Sequence, residues 1–168
     1  DEENLPKGIS PDLGCRIAKE LDLKCKFVMF KNPGKLADAV NDDLWDIGNI
    51  AFEPERGKKI DFSNPYVNID ANFLTRKKDN FLNNREINNK GIKVLVYEKS
   101  AYDLWLTANF KNVKIIRAET IQHSHDLFKK GNADVLAGLK PRLLEEINTN
   151  KDLRIIEQSF THIKQSVG

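Results

Sequence analysis

Residues 54–66 read PERGKKIDFSNPY. The stretch holds one arginine, Arg56, among charged neighbours. The apolar pair Ile60 and Phe62 follows in alternation and reads as the start of a strand. Asn64-Pro65 then makes a turn that redirects the chain. No nucleophile–base pair and no metal-ligand spacing lies within it. Upstream, helical and strand patterns alternate. Residues 10–23, SPDLGCRIAKELDL, begin with Ser10 as the expected N-cap and Pro11 at the first helical position. Leu13, Ile17 and Leu21 recur there at helical spacing. KCKFVMF (24–30) is a short apolar run with aromatic and branched residues, the pattern of a strand. NPGKLADAVNDDL (32–44) gives a turn and a helix with Leu36, Ala37 and Val40 inward. WDIGNIAF (45–52) is the next predicted strand. This order, with short connections, predicts an α/β sheet with parallel strands.

Downstream of Tyr66 the chain is predicted extended over 67–76. Residues 77–91, rich in asparagine and charge, read as a surface connection. A second alternating block follows: strand 92–97, a helix over 100–110 capped by Ser100, and strand 113–118. After these come a helix over 120–132 stopping at Gly131, strand 133–139, a helix over 140–148 with Pro141 in its first turn, and strand 153–157. Residues 160–167 are predicted extended. The sequence thus proposes two α/β lobes joined by extended segments, and clefts between such lobes are usual ligand sites.

The 168 residues suffice for one domain or two small lobes. Lysine and arginine number 27 against 25 acidic residues, a net charge of +2. That balance argues against a dedicated nucleic-acid binder. The densest basic cluster, TRKKDN (75–80), carries its own aspartate and reads as a solvated face. No apolar run approaches the ~18 residues of a membrane span. Residues 1–14 are acidic and polar, unlike a signal peptide. The expectation is a mature soluble domain or a piece of one. Cys15 and Cys25 read either as two thiols or as one disulfide, the bond being favoured only in an oxidising compartment.

PERGKKIDFSNPY resembles the signature of the type II periplasmic substrate-binding proteins, the family 3 extracellular solute-binding domain of amino-acid ABC transporters. GISPDLGCRIAKELDLKCKFV, GIKVLVYEKSAYDLWL, GNADVLAGLKPRL and FTHIKQSVG resemble further stretches of that family, in the same order, from about Gly8 to Gly168. The resemblance implies a two-lobe fold, each lobe a mostly parallel sheet flanked by helices. It places residues 1–66 plus 166–168 in lobe 1, 67–71 and 160–165 in hinge strands, and 72–159 in lobe 2. It also implies a chain truncated at both ends, lacking a first strand with an aromatic-bearing loop and the closing helices of lobe 1.

By the same resemblance Arg56 binds a ligand α-carboxylate. A guanidinium suits this because it offers a planar fork of donors and stays charged in a closed cleft. The alternative is that Arg56 pairs with Glu53, Glu55 or a carboxylate of the other lobe. Lys99, Ser100, Ala101 and Tyr102 fall where the family sets a loop and helix start against the ligand. Amides at a helix N-terminus favour an anion; ordinary capping by Ser100, with Tyr102 in the core or lining the cleft, is the other reading. Asn49, Ala51 and Phe52 lie in the family's ligand-binding region, Phe52 as cleft wall or core. The segment from Asp46 to Arg56 looks about two residues shorter than in many members, which leaves their one-to-one roles open. Where amino-acid-binding members carry an aspartate for the ligand's ammonium, this chain has Gly138-Leu139-Lys140. Leucine cannot neutralise an ammonium and lysine repels one. An anionic ligand, or one whose amine is met elsewhere, fits better.

The implied function is an extracytoplasmic solute-binding protein, periplasmic or extracellular, of an ABC transporter. It would capture a small carboxylate-bearing molecule by hinge closure and deliver it to a membrane permease. No cofactor, metal or catalytic residue is expected, nor a nucleic-acid partner. A monomer is expected, with a dimer possible through an unpaired sheet edge. The alternatives are a ligand-sensing domain of a membrane receptor and a cyclohexadienyl dehydratase-like enzyme with Glu53 as general acid. His123 and His125, at i, i+2 on a predicted helix, point to different faces and do not suggest a shared metal. His162 lies in the predicted hinge and reads as a surface histidine, with pH-sensitive opening as the alternative.

Overall fold

The computed structural model describes residues 5–168. The chain divides into two compact units, residues 1–67 with 165–168, and residues 68–164. None of the described helices is long and apolar enough to cross a membrane.

Unit 2 forms where the sequence patterning is strongest. Its strands are β2 (Val67–Arg76), β3 (Lys93–Tyr97), β4 (Lys114–Ala118), β5 (Val135–Leu139) and β6 (Leu153–Ile155). Strand β7 (Thr161–Val167) belongs to it except at its last residues. Strand β3 pairs in parallel with β4 and with β5, as the alternation of strand and helix predicts. Strand β2 pairs antiparallel with β5 and β6, so Leu74 faces Leu136 on one neighbour and Ile155 on the other. The core collects on this sheet: Leu74, Leu95, Phe128, Leu136 and Leu143 are at most 1 % exposed.

The helices of unit 2 start as their capping residues dictate. Helix α4 (Ala101–Asn109) has Ser100 as N-cap, its side chain accepting from the Asp103 N–H. Helix α5 (Ile121–Lys129) is capped in the same way by Thr120, and Gly131 beyond it takes the left-handed conformation at φ 81°. Helix α6 (Lys140–Thr149) carries Pro141 in its first turn.

The expected surface connection over 77–91 is partly a structural element. Asn84–Ile87 form the short helix α3, capped by Asn83. Ile87 is fully buried, and Asn84 donates to the carbonyls of Gln158 and Ser159. An asparagine-rich composition hid a segment that docks by one isoleucine and one amide.

Unit 1 departs more from the sequence expectation. Helix α1 is Ile9–Glu20, capped by Gly8 rather than Ser10, whose hydroxyl instead bonds the Tyr66 hydroxyl at 2.8 Å. Only Gly14 of that helix is buried, and Leu21, beyond its end, is 63 % exposed. Helix α2 is Pro33–Asp38, with Asn32 as N-cap. The predicted strand over 24–30 does not form: Val28 and Met29 are exposed, and no described strand runs beside the segment. An apolar run without a ladder to join stays irregular. The strand predicted over 45–52 is reduced to β1 (Asn49–Ala51), antiparallel to β7, with Ile50 opposite Ser166. The Gly48 and Gly168 backbones exchange two hydrogen bonds at its edge. Cys15 and Cys25 form a disulfide that ties α1 to the segment after it.

Candidate functional site

In unit 1 the end of β1 leads into a 3-10 turn over Arg56–Lys58. The strand start expected at Ile60 and Phe62 is absent. Ile60 is buried and Phe62 half-buried, in irregular chain that returns toward β7 through the Ser63 and Tyr66 amides. Arg56 is only 5 % exposed. Its Nη1 donates to the Ala51 carbonyl at 2.9 Å, which fixes the guanidinium beside the last residue of β1. Burial pulls the Arg56 basicity down and Glu53 opposes this. The Glu53 carboxyl is pushed up to about 7 by burial, with Arg56 pulling it back. Glu53 and Arg56 are therefore electrostatic neighbours at the base of one turn. Glu55 pairs with Lys58 instead, at the surface.

Phe52 is 39 % exposed, and its ring meets Phe62 edge-on at 5.4 Å between centroids. It is neither a core side chain nor an isolated one. A Cβ at Gly57 would stand 3.1 Å from that ring, so a glycine there lets the aromatic lie against the turn. Asn49 has both ends of its amide engaged. It donates to the Ser10 carbonyl at 2.9 Å and accepts from the Tyr66 hydroxyl at 3.3 Å. Its side chain joins the start of α1, β1 and the end of the PERGKKIDFSNPY stretch, a tie that spacing in the sequence does not reveal.

In unit 2 the chain between β3 and α4 is held by Asp103. This carboxylate is 2 % exposed. It accepts from the Lys99 N–H at 2.9 Å, from Arg117 Nε at 3.0 and 3.1 Å, and from the Thr107 hydroxyl at 3.3 Å. Lys99 adopts the left-handed region at φ 56°, where a non-glycine residue is strained. The Asp103 bond to its amide helps hold it there. Ser100 Oγ and the Ser100 carbonyl meet the amides of Asp103 and Leu104. The Ser100 amide itself donates to the Tyr97 carbonyl at 3.2 Å. Tyr102 is buried against Ser100, and burial lifts its phenol above the ordinary range. The capping and the buried-Tyr102 readings therefore both describe this segment. Asp103 and Arg117 were missed by the sequence reading; a Ser-x-x-Asp box at a helix start was the available signal.

Leu139 ends β5 and precedes the first residue of α6. Lys140 opens α6, and its ammonium lies 3.6 Å from Glu157. Its charge therefore has a partner within unit 2. Among the described residues no cluster of histidine, cysteine and carboxylate side chains has the grouping to hold a metal ion.

The family model for bacterial extracellular solute-binding proteins, family 3, matches residues 1–162. The chain belongs to this family. Among curated relatives, an L-arginine-binding protein of Pseudomonas aeruginosa is 27 % identical over 135 residues, covering 78 % of this chain and 49 % of that protein. A glutamine-binding protein of Geobacillus stearothermophilus is 25 % identical over 150 residues, covering 89 % of this chain and 54 % of that protein. The chain thus spans about half the length of the curated relatives it matches. Among solved structures, an ancestral arginine-binding protein bound to arginine superposes with a TM-score of 0.82, at 24 % identity, covering 99 % of this chain and 76 % of that one. The holo ArgBP from T. maritima gives 0.81 at 22 % identity, covering 99 % and 74 %. These likenesses establish the fold, a two-lobe α/β solute-binding architecture.

Proposed function

We propose that this family 3 solute-binding domain is an extracytoplasmic binding protein that captures a small carboxylate-bearing molecule, an amino acid or related organic acid, for an ABC permease. The observation that carries this reading is Arg56. A guanidinium only 5 % exposed is fixed at the end of β1 by its bond to the Ala51 carbonyl, inside the stretch that carries the family resemblance. A guanidinium held in this way offers a planar fork of donors that matches a carboxylate. In unit 1, Arg56 takes the ligand carboxylate while Ala51 and Phe52 line the approach to it. In unit 2, the amides of Ala101 and Tyr102, with Lys99 and Ser100, offer donors for an anion. Leu139 and Lys140 provide no carboxylate for an ammonium at the start of α6, which favours an anionic ligand or one whose amine is met elsewhere. The names of the curated relatives supply candidates, arginine and glutamine, and the absent carboxylate adds small dicarboxylates and keto acids to the panel.

The test is a thermal-shift screen of the chain against common amino acids, dicarboxylates, keto acids and polyamines, repeated on Arg56→Lys and Arg56→Ala. A ligand at about a hundred times its dissociation constant adds roughly 2.7 kcal/mol, a shift of several degrees. Carboxylates that stabilise the parent and lose their effect in both variants support the reading. Stabilisation by polyamines, or unchanged responses in the variants, refutes it.

One observation favours a second reading. A carboxyl pushed up to about 7, as at Glu53, has the proton affinity a general acid needs. A dehydratase acting on a prephenate-like acid would use it to protonate the leaving hydroxyl. Incubation with prephenate and arogenate decides this, since absence of product removes the reading.

A further inference from the structure

The contact between α5 and α6 holds a buried polar cluster outside the residues proposed to meet the ligand. His125 of α5 is 2 % exposed and Glu146 of α6 is 6 % exposed. His125 Nδ1 lies 2.8 Å from Glu146 Oε1, and Glu146 Oε2 lies 2.8 Å from Lys129 Nζ. An ionised carboxylate only accepts, so Nδ1 carries the proton of a neutral imidazole. Lys129 stands one turn beyond His125, so one hydrogen bond and one ion pair from the same helix meet one carboxylate of the other, with Oε2 making no hydrogen bond.

The surrounding charges are few. On α6, Arg142 pairs with Glu145 and reaches the Gln122 amide oxygen of α5 at 3.3 Å. On α5, Asp126 accepts from Gln122. On β2, Arg76 stacks 4.4 Å over the Phe128 ring and pairs with Asp79. The sheet residues in the same core as Phe128, Leu95, Ala118 and Leu136, are apolar.

We propose that His125, Glu146 and Lys129 form an acid-responsive latch between α5 and α6, in which a second proton on His125 adds positive charge beside Lys129 and Arg142 and loosens the two helices. Burial holds the His125 imidazole below the ordinary histidine value of 6.5; the Glu146 hydrogen bond opposes this without cancelling it, and Arg142 and Lys129 reinforce it. Burial pushes the Glu146 carboxyl up, but the Lys129 ammonium and the His125 hydrogen bond outweigh it and leave the group below its ordinary 4.5. A histidine depressed in the fold binds its second proton more readily when the helices open. The latch is therefore intact above 6.5 and weakens as pH falls through that value toward the lower value of the folded state. The Glu146 contribution is lost only below 4.5.

The experiment follows the imidazole nitrogens by NMR and backbone amide exchange in the whole chain, from about pH 7.5 to about pH 5. Protection of α5 and α6 amides, corrected for intrinsic rates, is expected to fall about tenfold across that range while α4 keeps its protection. His125→Asn keeps an N–H donor for Glu146 without titrating, and is expected to abolish the change. Uptake of the second proton at or above the ordinary histidine value overturns the proposal. So does unchanged protection in the parent, or a variant that keeps the pH step. Should His125→Asn fail to fold, the imidazole titration and the exchange of the parent decide alone.

Discussion

Asp103 shows how much one side chain can organise. It is buried, yet it meets the strained Lys99 amide, the Arg117 guanidinium and the Thr107 hydroxyl. Asp103→Ala removes the acceptor of that amide and leaves the half-exposed Arg117 with the Thr107 hydroxyl but no carboxylate. A loss of about 2 kcal/mol is expected, measurable by urea unfolding, with Asp103→Asn losing less because an amide oxygen still accepts. Leu143 is the apolar counterpart, fully buried in the core beneath α6. Leu143→Ala is expected to cost roughly 2–5 kcal/mol in the same assay.

At the level of elements, α4 and the Cys15–Cys25 bridge illustrate opposite sources of order. Helix α4 is set by local chemistry, so Ser100→Ala is expected to cost about 1 kcal/mol through the lost cap. The bridge joins α1 to a segment that forms no strand, across a separation of 10 residues. Closing a loop of about that length stabilises by about 2.7 kcal/mol on a chain-entropy account. Reduction is expected to lower the denaturation midpoint of unit 1 accordingly, which a denaturant titration with and without dithiothreitol would show. Residues 24–30, outside any described strand or helix, are expected to exchange their amides much faster than β3 and β5.

Across the whole molecule the two units are expected to answer pH in opposite directions. Glu53, raised to about 7 in unit 1, is favoured in its protonated form by the fold. Its contribution is present at low pH and declines as pH rises from the ordinary carboxylate value through 7. The His125 and Glu146 pair of unit 2 acts the other way, losing stability on acidification. Exchange measured unit by unit at about pH 5.5 and about pH 8 should show unit 1 better protected in acid and unit 2 better protected in base. Parallel changes in both units would contradict this.

The sequence by itself determined the alternation of strand and helix in unit 2, the cap at Ser100, and the stop at Gly131. Those features rest on local periodicity and on side chains that bond their own backbone within a few residues. It also carried the family resemblance, through a motif whose Arg56 is now seen buried at the end of β1. Only the tertiary structure decided the fate of the apolar run at 24–30, because a strand exists only where another backbone meets it. The same holds for the Asn49 link to Ser10 and Tyr66, the grip of Asp103 on Lys99, and the His125–Glu146 contact, since each joins residues brought together by the fold and not by spacing along the chain. Whether Cys15 and Cys25 bond was open for the same reason: it required α1 to end where it does, so that the following segment turns back within reach.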